Sequence, residues 1–183
     1  LAPRKGHRTM LRAIALLAGT RPRLRYVFTG ADERMRRELI DLAAELGIAS
    51  RIVATGFVAD EQLPALYRLA DVFALLAESP TGDDVEGFGV ALLEAAATGL
   101  PTLATRSGGV AEAVADGVTG LLVPARTVDP LAAAINELVG NPERRRDFAA
   151  AARRRAEAEF DQRRQVDVTL ATYDRLRNAG RHR

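Results

Sequence analysis

Residues 72–105 read VFALLAESPTGDDVEGFGVALLEAAATGLPTLAT. An apolar run, Val72–Leu76, stops at a long polar and glycine-rich loop, Ala77–Phe88. A run with helical spacing follows at Val90–Thr98, then Gly99, then a second β-type run at Pro101–Thr105. Strand, loop, helix and strand in this order make a βαβ unit whose two strands run parallel. The same alternation extends outward in both directions. Further β-type runs stand at Arg25–Thr29, Arg51–Thr55 and Gly120–Val123, with helical spacing at Thr9–Ala18, Glu33–Leu46, Glu61–Leu69, Val110–Ala115 and Pro130–Val139. Gly19, Gly47, Gly99 and Gly140 each stand just past a helical run, where a left-handed C-terminal cap wants glycine. The pattern predicts an α/β fold over residues 1–140, a doubly wound parallel sheet flanked by helices with right-handed crossovers. Ligands of such sheets bind at the carboxyl ends of the strands.

Composition narrows the chemistry. The chain has 183 residues with 26 basic and 24 acidic side chains, a net charge of +2. Lys5 is the only lysine, so the remaining basic residues are arginines. A domain of this size buries roughly 70% of its unfolded surface and needs no staples. The absence of cysteine excludes disulfides, a thiolate nucleophile and Cys-ligated zinc. Two histidines, His7 and His182, near opposite ends leave little room for a histidine metal site or a serine triad. No apolar run is long enough to span a bilayer and no signal peptide opens the sequence, so a cytoplasmic protein is expected. Charge is uneven: residues 1–140 carry a net −3 and residues 141–183 a net +5. The triplets Arg144–Arg146 and Arg153–Arg155 stand among alanines and glutamates, which predicts a helical C-terminal tail packed on the same domain, with Pro142 in a first turn and a last helix over Asp161–Arg177. These arginines read as solvated helix faces, or as a basic surface for peripheral contact with an anionic membrane or a partner. No nucleic-acid module and no aromatic stacking series accompanies them.

Three strand-to-helix loops open on one sheet edge. The first is Arg4-Lys5-Gly6, where two cations precede a helix N-terminus already favourable to anions. The second holds Gly30, which either lets a ligand approach the backbone or makes a plain turn. The third is Ala77–Phe88, longer than an ordinary βα connection. Glu86 stands directly before Gly87-Phe88-Gly89, and Glu94 interrupts an apolar helical run. A carboxylate there either faces water or receives hydrogen bonds from donors such as vicinal sugar hydroxyls. The opening, Leu1–Gly6, reads like the loop after a strand, as expected of a fragment of a longer protein.

Taken jointly, these motifs resemble one family. Glu86-x7-Glu94 within EGFGVALLEAAATGLPTLAT, followed by Ser107-Gly108-Gly109-Val110-Ala111-Glu112, resembles the retaining family 4 glycosyltransferases of GT-B fold. Gly56-Phe57-Val58 with Asp60-Glu61, and Tyr67 with Ala70-Asp71-Val72, are similar to a further segment of that family. Asp116-Gly117 with Thr119-Gly120-Leu121-Leu122-Val123-Pro124 matches its glycine turn, and Pro3-Arg4-Lys5-Gly6 the opening of its C-terminal domain. The motifs arrive in order over essentially the whole chain.

The resemblance implies a Rossmann-like, C-terminal, donor-binding domain of an enzyme that uses a nucleoside-diphosphate sugar. On that analogy Lys5, with Arg4, neutralises the donor diphosphate, the backbone near Phe57 and Val58 meets the base, and Glu94 accepts from ribose hydroxyls. Glu86 holds sugar hydroxyls, with Gly87, Phe88, Gly89 and Val90 around sugar and phosphate and Gly30 at the same edge. Glu86 and Lys5 are the expected catalytic residues, and neither a metal nor a cofactor is implied. The sequence departs from the family where a phosphate-binding arginine, about six residues before Lys5, falls ahead of Leu1. The N-terminal GT-B domain, an expected partner, is outside the sequence, and Asp83-Asp84 has no assigned role. Two other readings are a nucleotide-sugar epimerase half of the same general fold and a non-catalytic interaction domain with a basic tail.

Overall fold

The computed structural model describes residues 1–78 and 86–180. Helix α1 (His7–Leu17) follows a short turn at Pro3–Lys5 and buries Met10, Leu11, Ala13, Ile14 and Leu17, the stripe that its helical spacing predicts. Strand β1 (Tyr26–Phe28) leads to α2 (Glu33–Glu45), whose N-cap Asp32 accepts the Met35 N–H at 2.9 Å. Then come β2 (Ile52–Ala54), α3 (Leu63–Leu69), β3 (Phe73–Leu75), α4 (Val90–Ala97) and β4 (Thr102–Thr105). A single-turn α5 (Val110–Ala113), β5 (Gly120–Val123) and α6 (Val128–Gly140) complete the alternation.

All strand pairing is parallel, as the alternation requires, but the strands form two sheets. One is β1–β2; the other is β3–β4–β5, with fully buried β4 in the middle. Among the described residues no hydrogen-bond ladder joins β1 to β3, so the parallel α/β arrangement expected from the sequence is present as two parallel sheets. One apolar core still underlies both, because α1, α2 and α6 carry Leu11, Leu39 and Leu131 against Phe28 of β1 and Leu103 of β4. Val27 and Val53, on the other face of the pair, stay 44% and 48% exposed. Gly47 and Gly99 take the expected left-handed conformation, whereas Gly19 does not and Gly140 ends α6 with a neighbouring Arg21 guanidinium in the space a side chain needs.

The tail divides into two unlike helices. α7 (Pro142–Glu159) is capped by the Asn141 side chain at Arg144 N–H and buries Phe148, Ala152 and Ala156, two of them against Ala96 of α4. α8 (Gln162–Gly180) runs with its side chains exposed through Arg177 apart from half-buried Thr172, and Val166, Leu170 and Tyr173 share one outward face. From Gln162 to Arg177, α8 has no buried residue, in contrast to the buried Phe148, Ala152 and Ala156 of α7. Arg153 and Arg155 pair with Glu157 and Glu159 one turn on, and Arg145 caps the Leu138 and Val139 carbonyls. Among the described residues no helix is long and apolar enough to cross a membrane.

Candidate active site at the carboxyl edge of the strands

The site is assembled where β3 ends. Gly6, at φ +61°, lies so close to β3 that a Cβ would sit 2.5 Å from the Leu76 Cβ and 2.8 Å from its carbonyl oxygen. Only glycine combines that backbone with that approach. The Arg4 carbonyl accepts the Glu78 N–H at 2.7 Å, so the turn carrying both cations is fastened to the strand end. From it Arg4 Nη1 donates to Glu86 Oε2 at 2.9 Å, and Lys5 Nζ donates to the same oxygen. The Glu86 side chain is only 14% exposed. Burial pushes its pKa up, but the hydrogen bonds and charges of Lys5 and Arg4 outweigh burial and hold the carboxyl below its ordinary range.

Glycines bring the next loop in. The Gly87 carbonyl accepts the Gly109 N–H at 3.1 Å, and a Cβ on Gly109 would collide with that oxygen. Phe88 packs on Phe160 with ring centroids 5.6 Å apart, tying the loop to the joint between α7 and α8. Arg155 lies over the other partner of that stack, 5.2 Å from the Phe160 centroid, and donates to the Glu112 and Ala113 carbonyls. Gly89 caps α4 in the left-handed region, and Val90, its first residue, is 62% exposed. One turn on, Glu94 Oε2 accepts the Tyr67 hydroxyl at 2.9 Å. Burial first, then the Glu94 hydrogen bond and charge, push the Tyr67 phenol up.

The structure therefore brings Arg4, Lys5 and Glu86 together, with Gly87–Val90 and Glu94 following on one loop and helix. Gly30 follows β1, and Phe57 and Val58 follow β2. The Gly30 N–H donates to the Gly56 carbonyl at 2.8 Å, its open side lies against Leu1, Phe57 is 75% exposed and Val58 is half-buried. Asp83 and Asp84 lie outside the described residues. Asp116 closes its glycine turn, accepting from Leu122 N–H and Arg106, a structural task. Among the described residues no three His, Asp or Glu side chains gather to hold a metal ion.

Sequence reading missed a brace beneath the cluster. Glu78 accepts from the Thr9 hydroxyl at 3.0 Å and from the Arg126 N–H at 3.3 Å, joining α1 and the loop after β5 to the Lys5 turn. Arg126 is the one non-glycine with positive φ, at 62°, among the described residues. A carboxylate at the start of the loop, just after the apolar run Val72–Leu76 and Ala77, was the available signal.

This parallel α/β arrangement of strands flanked by helices is that of GT-B glycosyltransferases. The comparisons bear this out: the chain belongs to the glycosyl transferases group 1 family, whose model matches residues 1–155. Among curated relatives, it is 38% identical over 154 residues to the GDP-mannose-dependent alpha-(1-6)-phosphatidylinositol monomannoside mannosyltransferase of Mycolicibacterium smegmatis, covering 84% of this chain and 40% of that protein. Among solved structures, sucrose-phosphate synthase from Thermosynechococcus elongatus superposes with a TM-score of 0.85 at 28% identity, over 97% of this chain and 44% of that one. HepE from Anabaena, solved in complex with UDP, superposes at 0.82 with 28% identity, over 94% and 46%. The chain thus spans less than half the length of these relatives.

Proposed function

We propose that this chain is the donor-binding half of an enzyme that moves a sugar from a nucleoside diphosphate to an acceptor with retention of anomeric configuration. The observation that carries it is the convergence of Arg4, Lys5 and Glu86 at the carboxyl edge, with the glycine-lined start of α4 beside them. In this reading the donor diphosphate lies on Lys5 and Arg4. As the bond from the anomeric carbon to the phosphate oxygen breaks, negative charge grows on the leaving diphosphate. Lys5 Nζ, Arg4 and the N–H groups at the start of α4 neutralise that charge, a task this reading gives to them rather than to a metal ion. Glu86 receives sugar hydroxyls, Glu94 receives ribose hydroxyls, and the backbone near Val58 faces the base. The named donor of the mycobacterial relative supports guanine as that base.

Isothermal calorimetry with GDP, UDP and ADP tests the reading, with GDP expected to bind tightest. Lys5→Ala removes a charge-assisted contact and weakens GDP by about 1.5–3 kcal/mol, roughly 10- to 150-fold. Failure of all three nucleotides to bind at millimolar concentration overturns donor recognition by this chain. Equal GDP affinity in Lys5→Ala withdraws the role of Lys5 alone.

A further inference from the structure

The two cations assigned to the diphosphate are both turned onto one carboxylate oxygen. Arg4 Nη1 and Lys5 Nζ each donate to Glu86 Oε2, leaving that acid 14% exposed and the cations 31% and 27% exposed. A carboxylate and a phosphate offer the same chemistry to such donors, anionic oxygens that accept charge-assisted hydrogen bonds. An ammonium has three N–H donors and a guanidinium five, so the competition is between the anions themselves: a diphosphate drawn to these cations meets the Glu86 carboxylate as a like charge at the same place. Glu86 also sits on a loop whose next carbonyl is fixed by Gly109 N–H, so its backbone stays near the cations whichever partner they have.

We infer that Glu86 is an internal stand-in for phosphate, a latch that occupies Lys5 and Arg4 in the empty site and is released to the sugar when a diphosphate takes those cations. The inference rests on the donor-binding reading above and adds a competition to it. In the exchange the cations trade a singly charged carboxylate for a more highly charged diphosphate, and the freed carboxylate trades N–H donors for sugar O–H donors. While Lys5 and Arg4 hold Glu86, their hydrogen bonds and charges keep its carboxyl below the ordinary range. Phosphate binding and sugar reading are thereby coupled through one side chain, and Glu86 opposes the first while supporting the second.

That opposition of sign is the test, because a merely structural residue would weaken both. Inorganic pyrophosphate, GDP and GDP-mannose are titrated calorimetrically into the parent chain, Glu86→Gln, Lys5→Ala and the double variant. Glu86→Gln is expected to bind pyrophosphate and GDP about three- to tenfold more tightly than the parent, as an internal competitor and a nearby like charge are removed. Its preference for GDP-mannose over GDP falls. In the Lys5→Ala background the gain from Glu86→Gln drops below about twofold, because the cation it would free is gone. Circular dichroism confirms folding; should Glu86→Gln not fold, Glu86→Asp retracts the carboxylate by one methylene and is expected to bind pyrophosphate at least about twofold more tightly. Equal or weaker pyrophosphate binding in the folded variant overturns the latch while GDP binding by the parent leaves the donor reading standing. No binding of GDP by the parent removes both.

Discussion

The fold is expected to lose stability in mild acid through His7. Its Nδ1 lies 2.7 Å from the Tyr26 hydroxyl in the first turn of α1, with the Phe28 ring centroid 5.6 Å away. Burial, then the positive charges of the chain's amino terminus and Lys5, lower its pKa from 6.5 to about 4. The fold thus holds the ring neutral, and protonation favours the unfolded chain. The resulting stability is present in full above the unfolded pKa and is lost as pH falls from 6.5 towards 4. The full shift corresponds to about 3 kcal/mol, of which linkage places about 2 kcal/mol between roughly pH 7.5 and pH 5. Urea denaturation at those two pH values measures it, because the ordinary carboxylates titrate below that window. His7→Gln keeps a polar partner for Tyr26 without a titrating ring and should lose about 2 kcal/mol less than the parent over the interval. Equal losses in parent and variant would refute the argument, as would an NMR titration of the His7 ring with a midpoint near 6.5.

Gly109→Ala forces a Cβ against the Gly87 carbonyl, so the two loops must separate; a loss of about 1–3 kcal/mol is expected by denaturant midpoint, with weaker GDP binding by calorimetry. Asp32→Ala removes the N-cap of α2 and costs about 1 kcal/mol, read in the same denaturation series without change in GDP affinity, since the cap touches only Met35 N–H.

The alternation of β-type and helical runs was legible because each element buries a face, and burial writes its period into the sequence. Leu11, Ile14 and Leu17 on α1, or Met35, Leu39 and Ala43 on α2, are that period. The split of the strands into two sheets was not, because Phe28 and Leu75 carry the same apolar signature whichever neighbour pairs with their backbone. The same limit applies to the site. Lys5 and Glu86 stood out singly as a lone lysine and a carboxylate before glycines, yet their contact spans 81 positions and depends on Gly6 pressing against Leu76. The Tyr67–Glu94 bond likewise joins two helices that only tertiary packing sets side by side. Glu78 and Arg126 escaped notice because the brace joins one acid to a hydroxyl 69 positions away and to a backbone N–H 48 positions away, which leaves no local residue pattern.

The Gly87–Gly109 contact has a consequence for how the edge can diversify. Every amino acid one base away from a glycine codon carries a Cβ, so position 109 has no tolerated single-step neighbour while its loop stays seated. Val90, three residues after Gly87 and 62% exposed, faces no such barrier, nor does Phe57 after β2 at 75%. Drift, or a designed library aimed at a different sugar nucleotide, is therefore channelled to the exposed positions, while the glycine seam keeps the two loops in one register.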